Sequence, residues 1–542
     1  MGQSDTQQVS IGRNAAIISI AIIFSRLTGF VRTWALAFAL GNTLLSSAYQ
    51  IANNLPNMLY EMVMGGILVT AFLPVYMQVK KELGQKGANA YASNILSITF
   101  LLLGIVSILA TIFAAQLIFT QNFLDSSSDS ATNELATFFF RFFAIQIVMY
   151  GVSSVMSGIL NAEREYLWPA VAPIFNNLVT IVTMLIYVLV KDSHPNIALA
   201  VIGLGTSLGV LAMLLVQIPA LKKKNIKIKL KINFKDPALK ETLKLGLPAV
   251  LVMVASTAAT SVQNAVALAA VATGPSIIYY AKLWYTLPYS FLAVPISTTL
   301  FTELSDMYSN NNKELFKSTV LKGTKDLFFT MVPFALFLIV FSEPLMTLFH
   351  VGAFDKNSVY EIAEYLCWIA PALPFYAVMM YLNKVYSAMH RMVSFSLINL
   401  FSCSLQIVLL LVLTVGVFNF EGFGMAGTAI ARFVFNSFAV VALFVYIRKI
   451  MGGMQIASLC KTILFALIFG SLGALAGYGV LNLLYVIFGG LSGSLAQAFV
   501  YLLVAGIIAL IVCYGLAALC KVQEADAILS VLQKIKRKLF RH

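Results

Sequence analysis

The sequence predicts an all-α polytopic membrane protein of about fourteen transmembrane helices, on three observations. Its 542 residues are 60% hydrophobic and 11% charged, where a soluble domain is about 45–50% apolar and about 25% charged. Apolar runs of about 20 residues, each sufficient to cross a bilayer, recur along the whole chain. Ten-residue stretches of alternating polarity, the mark of an outer-membrane barrel, are absent.

The runs cover residues 14–40, 46–79, 92–119, 133–160, 168–190, 196–220, 244–271, 276–306, 320–349, 359–388, 393–417, 424–448, 459–486 and 494–520. The first follows a polar start, MGQSDTQQVSIGRN, and continues too far for a signal-peptide core, so no cleavable signal is expected. The formal charge of +14 sits mainly in alternate loops. KKELGQK (80–86), KKKNIKIKLKINFK (222–235), RK (448–449) and KIKRKLFRH (534–542) carry it, and the intervening loops carry almost none. Basic loops stay on the cytoplasmic side, so both termini are expected there and the charge is not read as nucleic-acid binding. The five cysteines form no CxxC pair and read as small core residues.

Span 2 (NNLPNML…LVTAFLPVY) is echoed by span 8 (YTLPYSFL…STTLFTEL) at Pro56 and Pro288. GILNAEREY after span 4 is echoed by KVYSAMHRM after span 10 at Ala162 and Ala388. Both echoes are about 230 residues apart, which is six spans. An even number makes the halves parallel, an arrangement in which transporters hold substrate between halves near the midplane. The expected domains are a six-helix lobe (1–221), a basic linker (222–243), a second six-helix lobe (244–450), and two additional helices with a basic tail (451–542).

An ionisable side chain inside a span is a candidate functional residue because of its cost in hydrocarbon. These are Arg26 and Arg32, Glu61, Arg141, Lys282, Lys384 and Arg432. Arg141, Lys282 and Lys384 lie near enough to span ends for their stems to reach an interface, and Arg432 equally fits a structural pairing. Arg26 is about 18 Å into span 1 at 1.5 Å per residue, too deep for that. Arg32 follows six residues later, with Gly29 between them as a point where the helix can bend. Two guanidinium forks at membrane depth suit an anion, phosphate above all; the competing reading is an internal pair with Glu61. Span 2 adds a polar face: Gln50, Asn53, Asn54, Asn57 and Glu61 share one side of a helix by spacing, with Tyr60 beside them. No GxxxxGK[ST] loop and no HExxH occurs, and His194, His350, His390 and His542 fall in loops or the tail. The pattern fits a secondary-type transporter rather than an enzyme.

SRLTGFVR (25–32), NLPNML…LVTAFLPVY, GILNAEREYLWPAVAPIFNN, LPYSFLAVPISTTLF and VYSAMHR resemble, in order and spacing, the MurJ/MviN family of lipid II flippases, within the multidrug and polysaccharide-lipid exporter superfamily. The resemblance covers essentially the whole chain. It implies a V-shaped pair of six-helix lobes around a cationic cavity that flips undecaprenyl-diphosphate-linked peptidoglycan precursor from the inner to the outer leaflet. The last two helices would form a groove for the lipid tail. Arg26 and Arg32 match the family's span 1 arginines. Its span 2 acidic residue falls on Ser47, its span 2 arginine on Tyr60, its span 8 arginine on Leu283 next to Lys282, and its span 7 acidic residue near Asn264.

The expected substrate site is therefore Arg26, Arg32, Lys282, Asn53, Asn57, Tyr60 and Glu61, with Asn264 at a candidate cation site. No cofactor or metal is expected; coupling to sodium, protons or membrane potential is. The expected partners are the lipid-linked glycan, membrane lipids and cell-wall synthesis proteins, in a bacterial cytoplasmic membrane. Export of another lipid-linked glycan, drug or organic-cation antiport, and a non-transporting cell-wall scaffold are the alternatives.

Overall fold

The computed structural model of the protein describes residues 2–65, 72–124, 130–417, 419–453, 455–491 and 493–524, with side chains of 2–20, 130 and 245–249 outside the description. The segment 66–71 of span 2 and the basic tail 534–542 thus lie outside the described residues. Secondary structure among the described residues is helical apart from one isolated bridge, Val417 to Phe420.

Among the described residues, eleven helices are long and apolar enough to span a membrane, and a pair bent by 43°, Ala131–Phe143 with Gln146–Ala162, makes a twelfth if it is one span. Length and apolarity therefore do not reproduce the count of fourteen. The two runs left over are spans 2 and 8, and each carries a break. Helix Leu44–Tyr60, containing Pro56, passes into a π-turn at Glu61–Gly65. Helix Gly274–Pro288 passes into a π-turn at Tyr289–Ala293 and then into Val294–Ser309. Proline lacks the N–H that would continue the ladder and crowds the carbonyl four residues back, and a π-turn is one way a helix absorbs such a defect. The echo around Pro56 and Pro288 is thus also an echo in backbone form.

The 40-residue stretch Leu73–Ile112 is two helices, because Gly84 sits at φ +65°. Glycine alone reaches that region without steric cost, and the break falls in the basic loop read from the sequence. Elsewhere side-chain caps start helices by accepting orphan N–H groups: Thr43 accepts from Ser46, Asn312 from Leu315, and Asp355 from Ser358.

The chain packs as two compact units, Met1–Ala265 and Val266–His542. The division falls after Ala265, inside helix Pro237–Ala270 and well past the linker (222–243) read from composition. Side chains on that helix bond into the first unit: Thr242 to the Tyr91 hydroxyl at 2.7 Å and Asn264 to Gln121 at 2.9 Å.

In the first unit, Phe72, Tyr76, Tyr91, Ile159, Leu160 and Leu221 form a buried cluster at the end carrying the basic loops. Glu163, just past helix Gln146–Ala162, closes it. Its carboxylate accepts from Lys80 Nζ at 2.6 Å, Tyr76 hydroxyl at 2.8 Å and Gln85 Nε2 at 3.3 Å, so both sides of the Gly84 break are tied to one residue. Burial draws the Glu163 pKa upward, but these hydrogen bonds outweigh it and hold it below the usual carboxylate range. A carboxylate shifted down adds stability that is present above its unfolded pKa, about 4.3, and is lost as pH falls through the lower folded value. Glu163→Gln is expected to lose about 1–2 kcal/mol at neutral pH, and its gap to the parent should close below about pH 4. Thermal melts in detergent across that pH range read this; a gap independent of pH would refute it.

In the second unit the two additional helices, Ile456–Phe488 and Leu495–Leu519, are pinned at both ends. Glu524 bonds Lys325 Nζ at 3.0 Å and the Thr462 hydroxyl at 2.8 Å. At the opposite end, His350 Nδ1 lies 3.0 Å from the Gly493 carbonyl. Of the cysteines, Cys403 and Cys513 are buried as read, whereas Cys460 and Cys520 are exposed at ends of the additional helices.

Candidate substrate-binding site

Span 1 is one unbroken helix, Gly2–Leu40. Gly29 does not interrupt it, so Arg26 and Arg32 keep the helical relation of about 9 Å rise and about 120° rotation. Arg26 is exposed, and among the described residues it makes no hydrogen bond or ion pair. The turn beneath it is fixed by a residue that the sequence reading missed. Asn177, buried on helix Leu167–Val190, donates from Nδ2 to the Thr28 hydroxyl at 3.0 Å and the Ser25 carbonyl at 3.3 Å. A Cβ on Gly29 would meet that amide at 3.6 Å, ordinary van der Waals contact. The signal was visible in IFNN (174–177), where two amides interrupt an apolar run.

Arg32 is half-buried and lies within electrostatic reach of Tyr150. Tyr150 packs against Tyr60 with ring centroids 6.3 Å apart, and the Tyr60 hydroxyl donates to Ser154 at 2.6 Å. Tyr150, an unpredicted residue of span 4, therefore lies near both Arg32 and Tyr60, and Ser154 on the same helix holds the Tyr60 hydroxyl. This cluster is rich in donors, as an oxyanion requires.

The polar face of span 2 divides along its length. Ser47 and Gln50 are buried, and the Ser47 hydroxyl and both Gln50 amide atoms have no partner among the described residues. Asn53 is half-buried, while Asn54, Asn57 and Glu61 are exposed. Asn57 Nδ2 donates to Glu61 Oε1 at 3.0 Å across the start of the π-turn. No ion pair among the described residues joins Glu61 to Arg26 or Arg32.

In the second unit Lys282 is exposed on helix Gly274–Pro288. Lys384 Nζ donates to the Thr298 hydroxyl at 2.7 Å, and the Arg432 guanidinium lies 6.0 Å from the centroid of the Phe435 ring. Asn264 is buried with its amide bonded to Gln121, which in turn donates to Ser261 at 2.6 Å. That position offers a neutral, hydrogen-bonded amide; no cluster of three or more acidic, histidine or cysteine side chains occurs among the described residues.

Interrupted, proline-bearing spans and a cationic span 1 within an all-helical fold are the features of a polytopic membrane transporter. In fold, the chain is similar to an inward-facing multidrug resistance MATE family transporter of the MOP superfamily, with TM-score 0.62 at 17% identity over 80% of this chain and 99% of that one. It is similar also to a lipid II flippase MurJ in an inward closed conformation, with TM-score 0.72 at 22% identity over 93% of this chain and 99% of that one. In sequence it is 27% identical over 352 residues to a probable lipid II flippase MurJ of Buchnera aphidicola subsp. Acyrthosiphon pisum, covering 64% of this chain and 68% of that protein. The model of the lipid II flippase MurJ family matches residues 36–503, and the chain belongs to that family.

Proposed function

We propose that the protein translocates lipid II, the undecaprenyl-diphosphate-linked peptidoglycan precursor, from the inner to the outer leaflet of the bacterial cytoplasmic membrane by alternating access. The match of the family model across most of the chain carries this reading. The donor cluster of Arg32, Tyr60 and Tyr150, with the exposed Arg26 on the same helix, supports it chemically. A diphosphate offers several anionic oxygens, and guanidinium forks meet such oxygens in pairs. Asn53, Asn57, Glu61 and Lys282 complete the proposed substrate-binding set; Asn57 and Glu61, already bonded to each other, would face the uncharged glycan.

Both termini are proposed to be cytoplasmic, as the basic loops require. The driving force is proposed to be an ion gradient or the membrane potential, since the sequence holds no P-loop. The Asn264 amide gives a coupling proton no titratable group, and its bond to Gln121 is made by the nitrogen, so sodium or the potential is favoured over protons.

The test is reconstitution of the purified protein into vesicles containing fluorescent lipid II, scoring the fraction reached by an impermeant reagent. Translocation above that of empty vesicles is expected, and it should respond to an imposed potential. Accessibility equal to that of empty vesicles would overturn the reading. Efflux of organic cations instead, lost in Glu61→Gln, would move the protein to the antiporter class.

A further inference from the structure

Residues 226–235 read IKIKLKINFK, lysine alternating with an apolar residue almost throughout. They form no helix, and from Ile226 to Asn233 the chain has no regular secondary structure. The segment is strapped along the start of the helix that follows Gly84. Lys229 N–H donates to the Ser93 hydroxyl at 3.1 Å, Lys231 N–H to the Ser97 hydroxyl at 3.0 Å and Asn233 N–H to Asn94 Oδ1 at 2.7 Å. Asn94 Nδ2 donates back to the Asn233 carbonyl at 3.0 Å and to Asp236 at 3.1 Å. A ladder of short polar side chains on one helix thus takes up every second N–H from Lys229 to Asn233. Irregular backbone tolerates membrane depth only when its polar groups are satisfied in this way.

What the strap displays is unusual. Lys227, Lys229, Lys231 and Lys235 are all exposed, and none forms an ion pair among the described residues. Ile228, Leu230, Ile232 and Phe234 are exposed as well, Leu230 at 86%. Between the strap and spans 3, 4 and 6 lies an apolar groove of about 630 Å³, floored by Phe100, Val152, Met156 and Leu214 and rimmed by Leu230. That volume is in the range of ligand sites, roughly 300–1,000 Å³. Cations and apolar side chains offered together, beside a groove opening among membrane spans, match one chemistry: a phosphate headgroup joined to a hydrocarbon chain.

We propose that residues 226–235 and this groove form a binding site for an anionic phospholipid of the leaflet on the basic-loop face. Lys227, Lys229 and Lys231 hold the headgroup phosphate, and the groove holds one acyl chain. The site lies wholly within the first unit and is independent of the lipid II reading. Bound there, a resident lipid would anchor the connection between the two halves of the chain to the membrane surface.

Native mass spectrometry of the full-length protein, titrated with phosphatidylglycerol or phosphatidylethanolamine, tests this. The parent should retain phosphatidylglycerol in preference to the zwitterionic lipid. The variant Lys227→Gln/Lys229→Gln/Lys231→Gln should bind phosphatidylglycerol on the order of a hundredfold more weakly, from three lysines each acting on an anionic surface. Ile228→Gln/Leu230→Gln, changed only at exposed positions, should weaken it too, which a purely electrostatic patch would not show. Equal binding of both lipids, an unchanged titration in the lysine variant, or displacement by glycerophosphate at matched concentration would each overturn the proposal. So would cross-linking from position 229 in membranes that captures a protein strand with no lipid adduct.

Discussion

Arg32→Ala is expected to lower lipid II translocation at least about thirtyfold, and Arg26→Ala to do the same, with both variants folding normally. The size follows from removing one partner of a desolvated, hydrogen-bonded charge pair, which costs about 2–5 kcal/mol. Arg32→Lys is expected to recover only part of the rate, since an ammonium keeps the charge but loses the planar fork. The two positions should differ in one respect. Arg32 lies within electrostatic reach of Tyr150, which packs on Tyr60, so Tyr60→Phe and Arg32→Ala should be less than additive. Arg26 is exposed, between the Ser25 and Thr28 groups that Asn177 bonds, so its loss should combine additively with Tyr60→Phe. Vesicle translocation rates with melting temperatures measured in parallel decide this. Full activity in well-folded Arg26→Ala and Arg32→Ala would remove both residues from the site.

The largest expected effect on stability lies far from those arginines, in GSLGALAG (470–477). A Cβ placed on Gly473 would stand 2.6 Å from the Ala509 carbonyl oxygen and 2.7 Å from Cys513 Cβ; one on Gly477 would stand 2.7 Å from the Phe341 ring. A Cβ on Gly470 would come within 3.1 Å of Pro333 Cα. Small residues are what let membrane helices approach closely, because hydrocarbon supplies no hydrophobic drive between them. Gly473→Leu is therefore expected to cost about 3 kcal/mol, at the upper end for overpacking, because the obstacle includes backbone. It should release the last helix from its neighbour and expose the buried Cys513 to thiol reagents. Gly479, with open space around its Cβ, is the control, and Gly479→Ala should be neutral or slightly stabilising. Equal melting temperatures for Gly473→Leu and Gly479→Ala would refute the packing account.

Much of this was legible in the sequence, for a stated reason. Hydrocarbon imposes one rule on every backbone group, so apolar run length announces helices directly, and the cost of charge in lipid singles out Arg26 and Arg32. Proline at equivalent places, Pro56 and Pro288, marked an internal repeat in the sequence; that a π-turn follows at each is a finding of the structure. The family pattern, too, was carried by short motifs whose order the sequence alone displays.

Partnership was not legible, because it joins residues far apart in the chain. Nothing local says that Asn177 fastens the turn under Arg26, or that Tyr150 stands between Arg32 and Tyr60. The polar face of span 2 looked uniform by periodicity, yet packing buries Gln50 and leaves Asn54, Asn57 and Glu61 outside. The run IKIKLKINF shows its alternation in one dimension. Only the tertiary structure lays it along Ser93, Asn94 and Ser97, since hydrogen bonds between a strap and a helix more than a hundred residues away leave no period in either. Sequence by itself determined which segments enter the membrane and which charges are costly there; tertiary packing decided which of those charges have company.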